Sequence, residues 1–169
     1  MSRAFAPALF AMCALLEPIA SAQSVNVASS ERVRGGMFDA SDPERLVRFM
    51  TELGYQAELT TDAVGDPLIN GRVSSTDYVI QFYECEEGSF CNSVQFLAEA
   101  PQPAAATLEQ LNAFNTRWRY VRATFAVGLI RLQMDLNLDG GLAASNVEDT
   151  LDIWRQLLET FEREFLLRR

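Results

Sequence analysis

Between Ile130 and Asp139 apolar and polar residues alternate almost without error. Ile130, Leu132, Met134, Leu136 and Leu138 interleave with Arg131, Gln133, Asp135, Asn137 and Asp139. A period of two is that of a strand with one buried and one wet face, so the pattern predicts a half-buried β-strand ended by Gly140-Gly141. Ala123 to Val127, turning near Gly128, supplies the other arm of a hairpin. Shorter strands are expected at about Gln56 to Thr61 and Pro67 to Val73, with turn residues at Gly65-Asp66, Asn70-Gly71 and Ser74-Ser75. Asn70-Gly71 can be read as a bulge or tight turn inside the second of them.

The clearest strand pair flanks two cysteines. If Cys85 lies opposite Cys91 with Glu86 to Phe90 as the loop, antiparallel register sets Phe82 against Val94, Ile80 against Phe96 and Tyr78 against Ala98. All three pairs are apolar and share one face. Tyr83 with Ser93 and Gln81 with Gln95 share the other, as on a solvated or partner-binding side.

Three segments change to helical spacing. Leu46, Phe49, Met50 and Leu53 recur on one face of a helix from about Asp42 to Leu53, with Ser41 and Glu44 in a capping-box pattern, Pro43 in the first turn and Gly54 at the exit. After the Ala/Pro-rich linker from Pro101 to Ala106, Thr107 caps a second helix to about Tyr120, striped by Leu108, Leu111, Phe114 and Trp118. The third, from about Asn146 to Leu167, carries Val147, Leu151, Trp154, Leu158, Phe161 and Phe165 on one face, and Arg168-Arg169 complement its dipole. The expected class is α+β, a twisted antiparallel sheet with helices packed on it, in the order α-β-β-β-β-α-β-β-α.

The N-terminus reads differently from the rest. Arg3, an apolar stretch from Ala4 to Leu16, and Ala20-Ser21-Ala22 before Gln23 form a cleavable export signal, cut after Ala22. Residues 1–22 are therefore a signal peptide, 23–40 a flexible lead-in or loosely attached edge strand, and 41–169 one domain. The apolar stretch is shorter than the roughly 20 residues that span a bilayer, so no membrane insertion is expected after signal removal. Cys13 is expected to leave with the signal. A periplasmic or secreted address puts Cys85 and Cys91 in an oxidising compartment, where a structural disulfide is favoured over a redox-active pair.

Composition narrows the chemistry. The chain carries 23 acidic against 14 basic residues, a formal charge of −9, which disfavours nucleic acid and anionic membrane surfaces. It has no His, and its basic residues are all Arg, which removes histidine bases, imidazole metal ligands and Schiff-base lysines. Asp135-Leu-Asn137-Leu-Asp139-Gly140 imitates the first half of an EF-hand loop, but the twelfth position is Asn146 and the alternating leucines demand an extended strand. No cofactor or metal is expected.

The Cys-x5-Cys hairpin, then Leu111-Asn112-x-x-Asn115-x-x-Trp118-Arg119-Tyr120, a strand ending in Asp139-Gly140-Gly141, and a helix with Trp154 together resemble the YbjN-domain family. Members are labelled bacterial sensory-transduction regulators. The resemblance runs from about Ser41 to Phe165 and implies a type III secretion chaperone-like fold and a binding or chaperone-like role without known chemistry. Asn112, Asn115, Trp118 and Arg119 are the candidate structural or recognition residues. Asn115 shares a stripe with Leu111 and Trp118, so its amide must be satisfied, either by a neighbouring strand or loop or by a ligand. The acidic tip, Glu84, Glu86 and Glu87, is either a solvated loop or a partner or cation contact.

These features predict a non-enzymatic periplasmic binding or chaperone-like adaptor whose partner is another envelope protein. The alternative is a carboxylate-based small-molecule or cation-binding protein or enzyme using residues such as Asp135 and Asp139. A homodimer through sheet or helix faces is the third reading.

Overall fold

The computed structural model describes residues 36–167. The expected export signal, most of the lead-in and Arg168-Arg169 lie outside the described residues. Eight strands occur in chain order: β1 Met37–Phe38, β2 Gln56–Thr61, β3 Pro67–Val73, β4 Thr76–Tyr83, β5 Ser93–Pro101, β6 Arg122–Ala126, β7 Leu129–Asn137 and β8 Leu142–Ala143. The helices are α1 Pro43–Glu52, α2 Leu108–Arg117 and α3 Ala144–Phe161, the last running into a π-helical turn, Glu162–Leu166. Six strands form one antiparallel sheet in the order β2-β3-β4-β5-β7-β6, and β1 pairs with β8 in a separate ribbon. The class and element order are those expected, with β1 and β8 added.

The central register follows the cysteine pairing: Phe82 faces Val94, Ile80 faces Phe96, Gln81 faces Gln95 and Tyr83 faces Ser93. Alternation then sends Ile69, Ile80, Phe96, Ile130 and Leu132 into the core. β3 passes through Asn70-Gly71 without a bulge or turn, Gly71 pairing with both Ala57 and Tyr78. Glycine is required there by packing. A Cβ on Gly71 would lie 2.4 Å from the Tyr78 ring, which crosses this position on its way into the core.

Trp154 of α3 is fully buried, its ring 5.6 Å from Tyr78 and 5.4 Å from Phe96 between centroids. A buried indole of this kind is worth about 3–5 kcal/mol against alanine. α3 begins two residues earlier than its apolar period indicates, because the Ala144 N–H donates to the Gly36 carbonyl at 3.1 Å, which replaces a side-chain cap. The lead-in is thus structured from Gly36 onward, and the domain starts before Ser41: Phe38 and Ala40 are buried, and Ala40 bridges Cys91.

α1 is capped by Asp42, whose carboxylate accepts the Arg45 N–H at 2.9 Å, and not by Ser41, which bonds to Asp39. α2 is capped by Thr107 as expected, in a capping box with Gln110, but ends at Arg117, with Trp118 extended and Tyr120 at φ +72°. Its first apolar residue, Leu108, is exposed; Leu111 and Phe114 face inward, and Phe114 packs on Phe161 and Phe165.

The π-turn carries a buried carboxylate. Glu162 accepts from the Ser75 N–H at 3.2 Å, from the Thr76 hydroxyl at 3.0 Å and from the Ser75 hydroxyl, clamping the β3–β4 turn to the end of α3. Burial alone would raise its pKa, but the hydroxyls of Ser75, Ser74 and Thr76 and the Ser75 N–H outweigh it and hold the carboxyl below its ordinary 4.5. The sign follows from that depression. The clamp contributes fully above pH 4.5 and its contribution is lost as pH falls through the lower native value. Glu162→Gln should therefore lose about 1–3 kcal/mol at neutral pH and show a flatter loss of stability between pH 5 and 3 than the parent, measured by urea unfolding. Identical acid limbs would remove Glu162 from the stability balance.

Cys85 and Cys91 are disulfide-bonded across the base of the β4–β5 loop. A loop this short gives about 2 kcal/mol in the chain-entropy model. Reduction should lower unfolding stability by about that amount, and a Cys85→Ser/Cys91→Ser chain should lose its sensitivity to dithiothreitol; equal stability with and without reductant would show the staple to be dispensable.

Candidate functional site

The core occupies the helix side of the sheet, which leaves the outer face exposed or half-exposed. Successive pairings lay a row across it, Glu58, Asn70, Val79, Leu97, Gln133 and Arg122. Val79 and Leu97 make a half-buried apolar strip, and the residues around it satisfy one another. Arg72 pairs with Asp77 at 2.6 Å, Arg131 with Glu99, and Arg122 with Asp135. Gln133 donates to Gln95 at 2.9 Å and Gln95 to Asp135 at 2.5 Å. The Arg122 guanidinium, aided by Gln95, holds the Asp135 carboxyl below the usual carboxylate range.

Asp135 and Asp139, the carboxylates expected of a catalytic or cation site, are not brought together. Asp135 is engaged on the outer face, whereas Asp139 sits past the strand end, its N–H donating to the Asn137 side chain at 2.9 Å. Among the described residues no group of three Cys, Asp or Glu is placed to hold a metal ion. Concavity lies elsewhere. A cleft of about 460 Å³ is lined by Glu58, Asn70, Asp77, Val79, Leu97 and Glu99, and a second of about 670 Å³ adjoins it around Thr51, Tyr55 and Gln56. A third, of about 440 Å³, lies between the start of α1 and the β2–β3 turn.

The remaining sequence candidates occupy separate places. Cys91 is buried and Cys85 half-buried at the root of a tip in which Glu84, Glu87 and Phe90 all adopt left-handed backbone. Gly88 brings that tip against the β2–β3 turn: a Cβ there would lie 3.1 Å from the Gly65 carbonyl oxygen. Asn112 is exposed. Trp118 is half-buried beside Phe114, with the Arg117 guanidinium 5.3 Å from its ring. Arg119 lies over the exposed Tyr120 ring at 4.9 Å.

Asn115 does something specific. Its amide donates to the Ala123 carbonyl at 2.9 Å and accepts the Ala123 N–H at 2.7 Å, pairing with edge strand β6 as a neighbouring strand would. Both outward groups of Ala123 are thereby occupied. Sequence reasoning missed Glu162, although a lone carboxylate four residues after Leu158 on an otherwise apolar stripe was a signal for it. The Tyr55 N–H to Met50 carbonyl bond of 2.9 Å, which ties the start of β2 to α1, left no trace in side-chain pattern. Asn115→Ala should cost about 1–3 kcal/mol in urea unfolding and speed hydrogen exchange at Ala123. Asn115→Asp should cost more, because it sets a carboxylate against the Ala123 carbonyl; a neutral effect of both would show that β6 holds its edge without α2.

No curated protein sequence matches the chain. Among solved structures the fold is similar to the "Crystal structure of YbjN, a putative transcription regulator from E. coli", at a TM-score of 0.52 and 15% identity, covering 72% of this chain and 92% of that one. The family model YbjN, described as "Putative bacterial sensory transduction regulator", matches residues 42–167. That span takes in every helix, the whole six-stranded sheet and the β2 edge, and the chain belongs to the YbjN family.

Proposed function

We propose that the protein is a non-enzymatic extracytoplasmic adaptor, exported by residues 1–22 and binding another envelope protein through the β2 side of its sheet. The observation that carries this reading is the distribution of unused interaction capacity. The outer-face ion pairs and amide bonds occupy one another, while the clefts beside β2 keep Glu58 and Glu44 without an ion pair among the described residues and border a half-buried apolar strip. Glu58 lines both adjoining clefts and has no ion pair among the described residues. The leader pattern supports the address, and the Cys85–Cys91 bond is of the kind oxidising compartments keep. The engagement of Asp135 by Arg122 and Gln95 argues against a catalytic carboxylate there.

Fractionation of cells expressing the full chain should place it in the periplasm with Gln23 as its N-terminus. A photo-crosslinking residue at Leu97 or Thr61 should then recover the same envelope protein reproducibly. A chain that stays in the cytoplasm with its leader intact, or that gives no specific adduct from either position across several growth conditions, would overturn the reading.

A further inference from the structure

The two edges of the sheet are treated differently. Asp62 donates its N–H to the Asp66 carbonyl at 2.9 Å, which continues the β2–β3 ladder as a hydrogen-bonded pair. Such pairs alternate along an antiparallel ladder, and the β2–β3 register is unbroken from Gln56↔Arg72 to Thr61↔Pro67. Gln56, Glu58 and Thr60 therefore turn their backbone groups toward β3, and Ala57, Leu59 and Thr61 turn theirs to the free edge. Two facts agree with this parity. Pro67, opposite Thr61, has no N–H to give the ladder, and Tyr55, the preceding outward residue, donates away from the sheet to Met50. From Ala57 onward no described backbone group takes the outward positions, whereas on β6 the Asn115 amide fills those of Ala123.

Space and charge coincide with the unpaired groups. The cleft at Thr51 and Tyr55 opens at one end of β2, and the cleft between Glu44 and Thr61 at the other. Ala57 and Leu59 are only half-buried, so their core-side surfaces are partly uncovered. Glu58 projects on the outer side, Glu44 stands at the far end, and the Gly88–Gly65 contact seats the acidic hairpin tip there as well. Neither Glu44 nor Glu58 has an ion pair among the described residues.

We propose that the free edge of β2 takes an extended segment of a partner protein as an added strand, with apolar residues alternating over Ala57 and Leu59 and cationic residues beside Glu58. This deepens the adaptor reading and rests on it. Main-chain bonds to Ala57, Leu59 and Thr61 supply affinity, and the carboxylates select the cationic face.

The test uses the full chain with its disulfide intact and two capped ten-residue peptides, one alternating valine with lysine, the other valine with glutamate. The lysine peptide should slow amide exchange at least tenfold at Ala57, Leu59 and Thr61, and the glutamate peptide should not. Glu58→Arg should weaken the lysine peptide at least fivefold and favour the glutamate peptide. Thr61→Pro removes one outward N–H and leaves the β2–β3 ladder untouched, and should weaken binding by a similar factor. Absence of slowing, slowing on the outer face or at β6 instead, or indifference to Glu58→Arg would overturn the proposal. Should the peptide arms fail while photo-crosslinking from Leu97 still recovers an envelope protein, the adaptor reading stands and only the edge mode is lost.

Discussion

The structure depends on one aromatic contact, the Trp154 indole seated between Tyr78 and Phe96. It fixes where α3 lies on the sheet, and both ends of α3 then find their partners. At its start the Ala144 N–H reaches the Gly36 carbonyl, which draws β1 into the fold and sets Ala40 against Cys91. At its end Glu162 reaches the β3–β4 turn, and Phe161 and Phe165 close on Phe114 of α2. Tyr78 can turn toward Trp154 only because Gly71 has no side chain, so a glycine in β3 and a tryptophan more than eighty residues later serve one packing requirement.

That arrangement loads the helices onto one side and leaves the other to self-contained polar pairs. The outer-face ion pairs are partly exposed, and each contributes of the order of 0–1 kcal/mol. Their larger effect is to neutralise charge locally. Asp135, Asp77 and Glu99 each face an arginine, so the excess of negative charge on the six strands is left to Glu58 of β2, with Glu44 of α1 near the far end of that strand. The asymmetry between the two edges of the sheet is thus electrostatic as much as geometric.

Much of the fold was legible in the chain because its strands announce themselves twice, by alternation and by pairing. Gln56–Thr61 and Pro67–Val73 occur at the expected bounds, and the hairpin register could be reached from two cysteines because period-two alternation tolerates no one-residue slip. The errors lie where backbone groups, and not side-chain patterns, decide. The start of α3 and the ordering of Phe38 and Ala40 depend on bonds to carbonyls or to residues distant in sequence, and Asp42 caps α1 in place of Ser41, which is bonded to Asp39. The Asn115 amide was a recognisable question, since an asparagine on an apolar stripe needs a partner, but its partner is a main-chain pair on β6 that no spacing rule reveals. The β2 edge was invisible for the same reason: it consists of unpaired N–H and C=O groups that every sequence possesses.

An exposed edge is a hazard as well as an opportunity, and the chain handles its two edges by different means. β6 is blocked by a side chain that imitates a strand. β2 has no such block, yet pairing between two copies is opposed. In the antiparallel register that uses Ala57, Leu59 and Thr61 together, two Glu58 carboxylates come within about 8 Å of each other, inside a chain of formal charge −9. Opposite charge on the incoming strand removes the same penalty. A single glutamate on an unblocked edge therefore discourages self-association and favours a cationic partner, which is the combination an adaptor requires and a self-assembling sheet does not.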